Sequence, residues 1–396
     1  MQKFNLDEFK ATTNANDCLV LNTIRHYGPI SRAAIAKVTD LTAPAITYIT
    51  NKLLDLGLVV EYKVGKSSGG RRPILLTVNP DILNVIVIHI SSTKLRGYLV
   101  NGDLHVLTER EYPVQKVPKD DILELMLTTI ADLRQESKTD ILGIGVVVHG
   151  PVKSKEGISI FAPNLGWRNV PIKYIVEEKI GIPTFVENDV RAMAIGEFHY
   201  GTARSVENMV FLKVGYGVGS AIFIDGRLYR GHGDSAGEIG HTTIDVGGPL
   251  CSCGNYGCLE ALVSENALVK AMVKSIKEGR SSIVQDMAGG NLDKITPEII
   301  YKAAEKGDVL AGRILRQVAR YLGIGIANTI NTFNPELLTI GGGIVQARAF
   351  IEDTILDTVK TRSLENSYSL CKIEFSKMGE VATIKGAADV VMTAIL

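Results

Sequence analysis

The stretch A-G-E-I-G-H-T-T-I-D-V-G-G-P-L-C-S-C-G-N-Y-G-C-L-E, from Ala236 to Glu260, is the most informative part of this 396-residue chain. Within it His241, Cys251, Cys253 and Cys258 bring one imidazole and three thiols into a single loop. Three sulfurs and one nitrogen form a complete tetrahedral donor set for Zn2+. A site with four protein ligands holds shape and leaves no position open for chemistry. Glycines at 247, 248, 254 and 257 allow the backbone to wrap tightly around an ion. The alternative, ordinary buried thiols near an unrelated histidine, must place three of the chain's five cysteines together by accident. Cys18 and Cys371 stand alone, which suits metal ligation in a reducing compartment better than a disulfide framework.

The length predicts two or three domains. Lys/Arg and Asp/Glu balance at 43 each, but residues 1–80 carry a net +4 and the rest a net −4. The basic end is therefore the candidate nucleic-acid end. No apolar run approaches the ~18 residues of a bilayer span, and the opening M-Q-K-F-N-L-D-E is too polar for a signal peptide. A cytoplasmic protein with no membrane partner is expected.

Residues 1–80 read as a winged helix-turn-helix. Leu19, Val20, Leu21 and Ile24 form a helical stripe closed by Gly28-Pro29. Ser31 can cap a second helix with Ala34, Ile35 and Val38 on its apolar face, and Asp40-Leu41 makes the turn. Thr42 can cap a third helix, which tolerates Pro44 in its first turn and buries Ile46, Ile49, Leu53 and Leu56. Its other face carries Ala43, Thr47, Tyr48, Asn51 and Lys52, groups able to meet base edges and phosphates in a major groove; Ser31, Arg32 and Thr42 are counted with them. Leu58 to Lys63 and Pro73 to Val78 then read as two strands of a hairpin. The tip, K-S-S-G-G-R-R, sets Lys66, Arg71 and Arg72 beside glycines that permit close approach to a narrow minor groove. A solvated basic loop on a protein-binding module is the bland alternative.

After Pro80 strands alternate with helices: Val85 to Ile90, Leu95 to Val100, a helix over Ile122 to Leu133, and Ile141 to His149. Later come strands at Met209 to Val214 and Ser220 to Ile224, a long helix from Val309 to Thr329, and a strand at Leu337 to Ile340. On A-G-E-I-G-H and the loop ending C-L-E, nearly the whole chain resembles the ROK family (repressors, open reading frames, kinases). The resemblance implies a two-lobed α/β body of the actin and hexokinase class, with residues 81–199 and 381–396 in the first lobe. Residues 200–380, including the zinc loop and oligomerisation helices, form the second lobe, and the last helix, Lys385 to Leu396, crosses back to the first. Repressors of this family carry a similar S-x-G-G-R-R-P segment.

The resemblance also implies a sugar site. Its matching positions are Asn164 in A-P-N-L-G-W, Asn188 and Asp189 in V-E-N-D-V, Glu238 and His241 in E-I-G-H, and Glu260 in C-L-E. Carboxylates and amides of this kind satisfy fixed sugar hydroxyls. His241 would bind zinc through one ring nitrogen and face the sugar with the other. The bland reading makes Asn188-Asp189 a helix cap and Glu260 a surface acid. In the family's kinases Asp189 would be the catalytic base, and the phosphate loop reads D-x-G-G-T. Here the matching segment is His89-Ile90-Ser91-Ser92-Thr93, so a magnesium ligand and two glycines are gone, and no enzyme activity is expected. Gly215 to Gly219 and Gly341 to Gly343 persist, but glycines also serve turns. The expected function is a sugar-responsive repressor of carbohydrate-utilisation genes. Its partners would be pseudo-palindromic operator DNA, a monosaccharide such as xylose or a hexose, and a second copy in a homodimer or dimer of dimers. The alternatives are an ATP-dependent sugar kinase with an appended DNA-binding domain, and a sugar-blind body that only assembles.

Overall fold

The computed structural model describes residue 9, residues 11–64 and residues 72–396. Helix α1 (Ala15–Tyr27) opens with a reciprocal cap: the Asn14 side chain accepts from the amides of Asn16 and Asp17, and Asp17 accepts from the amide of Asn14. A short strand β1 (Ile30–Ser31) leads into α2 (Arg32–Thr39), capped by Ser31, and α3 (Ala43–Asp55), capped by Thr42. Strands β2 (Val59–Val64) and β3 (Ile74–Val78) form an antiparallel hairpin, and β1 pairs with β3 to give the sheet order β1-β3-β2. Val20, Leu21, Ile24, Ile35, Ile46, Ile49 and Leu53 are buried together with Leu58 and Leu76. Leu19 and Val38, expected on buried stripes, are 43% and 51% exposed. Val20, next to Leu19, and Ile35, three residues before Val38, take the inward direction. Leu56 is half-buried.

The chain divides into two compact units, residues 1–200 with 380–396, and residues 201–379. In the first, β4 (Asn84–Ile90), β5 (Lys94–Asn101), β6 (Val106–Pro113), β7 (Ile141–Val148) and β11 (Thr184–Asn188) form a sheet in the order β11-β7-β4-β5-β6. β4, β7 and β11 run parallel, while β4, β5 and β6 form an antiparallel meander. The exposed edge strand β6, V-L-T-E-R-E-Y-P, escapes a hydrophobicity reading because charged residues fill it. β8 (Val152–Lys153), β9 (Ile158–Ala162) and β10 (Trp167–Val170) make a small separate sheet. Helices α4 (Lys119–Glu136), α5 (Ile172–Ile180) and α6 (Asp189–Tyr200) complete the unit with the C-terminal helix, Glu380–Ile395. That last helix begins five residues before the expected Lys385.

The C-terminal helix packs on α6 at backbone distance. A methyl at Gly196 would collide with the Ala382 carbonyl, and one at Gly386 with the Ala192 carbonyl. On the sheet side, a methyl at Gly145 would lie 2.9 Å from the Ala387 carbonyl. Only glycine permits this three-way approach.

In the second unit, β12 (Met209–Val214), β13 (Val218–Ile224), β14 (Arg227–Tyr229), β15 (Leu337–Gly341) and β16 (Lys372–Phe375) are ordered β14-β13-β12-β15-β16. β12, β15 and β16 are parallel. The helices are α7 (Leu259–Val263), α8 (Glu265–Lys277), α9 (Ile283–Met287), α10 (Pro297–Glu305), α11 (Val309–Phe333), α12 (Arg348–Arg362) and α13 (Glu365–Leu370). Buried residues of α11, including Leu315, Leu322 and Ile326, join one core with Val210, Leu212 and Ile340 of the sheet. No helix among the described residues is long and apolar enough to cross a membrane.

A buried polar cluster joins α1 to the body within the first unit. Asp389 Oδ1 lies 2.9 Å from His26 Nε2 and 3.3 Å from Arg25 Nη1, and it accepts from the Tyr200 hydroxyl. Burial opposes ionisation of Asp389, but the Arg25 guanidinium, the His26 hydrogen bond and His199 together hold its carboxyl well below the usual carboxylate range. Burial pushes His199 down to about 4, with Asp389 opposing and His26 and Arg25 reinforcing. The groups facing it are therefore His26, Arg25, Asp389 and the ring edges of Phe198 and Tyr200. Between its ordinary 6.5 and about 4 the unfolded chain binds a proton on His199 that the folded chain refuses. Stability present above pH 6.5 is thus lost as pH falls through that window. Urea unfolding at pH 7 and pH 5 should show wild type losing about 1 kcal/mol more than His199→Gln. Equal losses in the two proteins would remove His199 from the account.

Candidate functional site

The metal loop is built by turns. Gly257 has φ +66°, and any side chain there would run into the Asp245 carbonyl. The Cys251 amide donates to the Asn255 carbonyl at 2.8 Å and the Ile244 amide to the Gly257 carbonyl at 2.8 Å. These bonds bring His241 Nδ1 to 3.6 Å from Cys251 Sγ, and Cys253 Sγ to 3.7 Å from Cys258 Sγ. All four donor atoms lie within 4.8 Å of one another. A tetrahedral metal–thiolate centre with bonds of about 2.3 Å sets sulfurs about 3.8 Å apart, whereas a disulfide would need about 2.05 Å. The four side chains therefore fit a metal ion, and the cysteines are free thiols.

Glu260 and Glu238 adjoin this group. Glu260 Oε2 accepts from the Val218 amide at 3.0 Å, and Oε1 accepts from the Ser252 hydroxyl at 3.1 Å. The Cys251 thiol also faces Oε1, at 3.8 Å. Glu260 is half-buried and tied to both the metal loop and the start of β13. Glu238 is exposed, with Oε2 at 3.9 Å from His241 Nε2. Cys258→Ser or Cys251→Ser should reduce bound metal, measured by atomic emission, from about one ion per chain to near zero. Full metal content in both variants would show that the ion sits elsewhere.

In the first unit, Asn188 ends β11 and Asp189 opens α6. Asn188 Oδ1 accepts from the amides of Val190 and Arg191 at 2.9 and 3.1 Å, while its Nδ2 donates to the Gly150 carbonyl at 2.9 Å. Asn188 thus caps and anchors the helix. Asp189 is 8% exposed, with Oδ1 accepting from the Val190 amide at 2.9 Å. Sequence reading missed the brace beneath them. Buried Glu187 pairs with Arg191 at 2.6 Å and accepts from Ser154 and the Asn188 amide. The i, i+4 spacing of these opposite charges, at a strand-to-helix junction, was the available signal. Asn164 is exposed on the turn Pro163–Leu165, between β9 and β10.

The segment His89 to Thr93 turns β4 into β5. Ser91 Oγ accepts from the Lys94 amide at 3.0 Å, and the Ser91 amide donates to the Lys94 carbonyl at 2.9 Å. Its polar groups close a hairpin. In the second unit, the turns at the ends of the parallel strands β12 and β15 hold an unanticipated acid. The Glu265 carboxylate fills the space beside Gly343, where even a methyl would collide with it, and the Glu265 amide donates to the Gly215 carbonyl at 2.8 Å. Burial pushes this carboxyl upward, partly offset by the Tyr301 hydroxyl donating to it at 3.2 Å. Ends of parallel strands and glycine turns are where phosphates ordinarily enter an α/β sheet. Here protein oxygen occupies that space.

On the N-terminal module, Ala43, Thr47, Tyr48 and Asn51 all lie exposed on α3, Tyr48 at 72%. Arg32 spans α2 and α3, donating to Thr50 Oγ1 at 2.8 Å and Asn51 Oδ1 at 3.2 Å. The hydroxyls of Ser31 and Thr42 are used as helix caps, and that of Thr47 donates to the Ala43 carbonyl. Lys52, expected on the open face, turns instead to buried Asp17 at 2.7 Å and to the Thr12 carbonyl. A carboxylate this deep requires a cation, and Lys52 supplies it. Arg72 is exposed, while Lys66 and Arg71 lie outside the described residues.

Residues 85–394 match the ROK family, and the chain belongs to that family. The xylose repressor of Caldicellulosiruptor bescii is 37% identical over 390 residues, covering 96% of each chain. A solved ROK family transcriptional regulator, described as a homologue of the E. coli MLC protein, has a TM-score of 0.81 at 32% identity, over 96% of this chain and 95% of that one. A ROK family glucokinase from Streptomyces griseus, in complex with glucose and AMPPNP, has a TM-score of 0.69 at 28% identity, over 78% of this chain and 98% of its own. The body therefore has the mixed α/β, actin/hexokinase-like fold of this family.

Proposed function

We propose that this protein is a sugar-responsive transcriptional repressor. Helices α1 to α3 and the hairpin act as a winged helix-turn-helix on operator DNA, and the body acts as the sensor of a monosaccharide. The observation that carries the reading is the open face of α3, with Ala43, Thr47, Tyr48 and Asn51 exposed, on the same chain as a family body. The resemblance over 96% of the length to a protein named xylose repressor supports it and makes a pentose the first effector to test. Arg32, bonded to Asn51, presents a guanidinium beside the reading helix, and Ser31 and Thr42 set the starts of α2 and α3. Lys66, Arg71 and Arg72 contribute the wing's minor-groove contacts. Two modules in a homodimer, or a dimer of dimers, read a pseudo-palindromic operator, because a single small module buries too little surface for tight specific binding.

The residues we assign to sugar recognition are Asn164, Asn188, Asp189, Glu238, His241 and Glu260. With Nδ1 turned to Cys251, His241 would offer Nε2, which lies 3.9 Å from Glu238 Oε2, to a sugar hydroxyl. The ion is Zn2+, the metal best matched to a closed Cys3His set, and its task is to fix the loop that carries His241. The kinase alternative has less support: the hairpin formed by Ser91 and the Glu265 carboxylate beside Gly343 both work against phosphate binding.

A thermal-shift panel of D-xylose, D-glucose and N-acetyl-D-glucosamine, followed by DNA titration with the sugar that stabilises, tests the reading. Asp189→Asn should weaken that sugar about ten- to a hundredfold, the loss of one charge-assisted hydrogen bond. Arg72→Ala should weaken DNA binding across sequences and lower the salt slope by about one. Sustained ATP turnover that depends on a monosaccharide and disappears in Asp189→Asn would replace the repressor with a kinase.

A further inference from the structure

Apart from the metal loop, the described residues gather one other three-donor group close enough for a metal: His26, His199 and Asp389. A second metal site does not suit it. The His26 and His199 rings are stacked, 3.8 Å between centroids and 13° from parallel. Ring nitrogens so arranged point side by side, whereas ligands to one ion must converge. Arg25 already neutralises the carboxylate from 3.3 Å, and its Nη2 is tied to the Thr393 hydroxyl and to Asn22. Lys385 adds a further positive charge, 5.6 Å over the Tyr200 ring. A dication would enter beside two cations.

What the cluster does join is the DNA-facing module to the helix that starts at Asp189. Arg25 and His26 belong to the last turn of α1, Asp389 and Thr393 to the C-terminal helix, and His199 and Tyr200 to the last turn of α6. From Asp189 to Tyr200 α6 is a single 12-residue helix, about 18 Å long. The backbone contacts at Gly196 and Gly386 lock it to the C-terminal helix, so the pair cannot slide without opening a close-packed interface. A shift imposed at Asp189 must therefore be carried to the other end. There Tyr200 donates to Asp389 and His199 stacks on His26, so the module's seat depends on where α6 ends.

We infer that α6 is the coupling rod of the repressor, and that His199 and Tyr200 are positioning residues which convert a change at Asp189 into a change in the seat of α1. The inference rests on the effector reading given above for Asp189. Coupling needs only that the sugar bind two seats of α1 with different affinity, and DNA must then alter sugar affinity by the same factor.

The test uses the full chain, wild type and the double variant His199→Ala, Tyr200→Phe, which retains Asp189 and the Arg25–Asp389 pair. DNA affinity is measured on a palindromic duplex selected in vitro with the wild type, without sugar and with saturating D-xylose, D-glucose or N-acetyl-D-glucosamine. Sugar affinity is measured separately by calorimetry. The wild type should show at least a ~5-fold change in DNA affinity with one sugar. In the variant sugar affinity should stay within about twofold and sugar-free DNA affinity within about threefold, while the sugar-induced change falls below about twofold. Should the double variant fail to fold, His26→Gln, which removes the stacked imidazole from the α1 side, must give the same loss. A variant that responds as wild type does overturns the inference and leaves the repressor reading intact. So does one in which both affinities fall together, because the cluster is then only structural. A wild type whose DNA binding answers to none of the sugars overturns both.

Discussion

The carboxylate of Asp389 is the point on which the arrangement of the first unit turns. A charge so deeply buried is costly unless it is paired and hydrogen-bonded, and breaking such a pair strands the remaining partner. Asp389 is satisfied from two directions, by Arg25 and His26 of α1 and by Tyr200 of α6. Moving α1 away would leave an uncompensated carboxylate in a low-dielectric site, so the seat of the N-terminal module is fixed electrostatically as well as by packing. Asp17 repeats the logic inside the module, where its burial draws in Lys52 and ties α1 to α3. Two buried acids thus tie α3 to α1, and α1 to the rest of the first unit.

Local rules made much of this fold legible. Ser31 and Thr42 cap the helices they were expected to cap, because the preference of a hydroxyl for free amides at a helix start acts within three residues. Met209–Val214 reads as a strand because it is buried on both faces and apolar at every position but Lys213. The metal donors are legible for a similar reason, since all four lie in one loop and tight turns can bring them together with little help from the rest of the chain.

The misses are nonlocal. Nothing beside Asp389 in the sequence announces Arg25, more than 350 positions away. Glu265 follows the capping Ser264 and looks like an ordinary first-turn acid favoured by the helix dipole. Its contact with Gly343 exists only because α8 starts where β15 ends. Lys52 shows the opposite error: on a helical wheel it belongs to the open face, but a long side chain can reach across to a buried carboxylate that the wheel does not include. Sequence patterns identify which way a backbone position points, and leave open where a flexible charged group finds its partner.

The distribution of substitutions explains how a fold shared with a glucokinase can keep a sensor without phosphoryl transfer. The segment departing from D-x-G-G-T lies in the β4–β5 turn, where Ser91 has become part of an ordinary hairpin. Glu265 lies in the other unit, at the turn after β15. Asp189, by contrast, sits at the β11–α6 junction beside Asn188, which Glu187 and Arg191 brace, and none of those bonds involves either turn. Phosphoryl transfer depends on phosphates and a metal being positioned together, so the loss of the phosphate loop at the β4–β5 turn is enough to remove it. Sensing asks only that a ligand bind one arrangement of the protein better than another. The bonds around Asp189 are independent of the β4–β5 turn, so the recognition role proposed for Asp189 does not require a working phosphate loop.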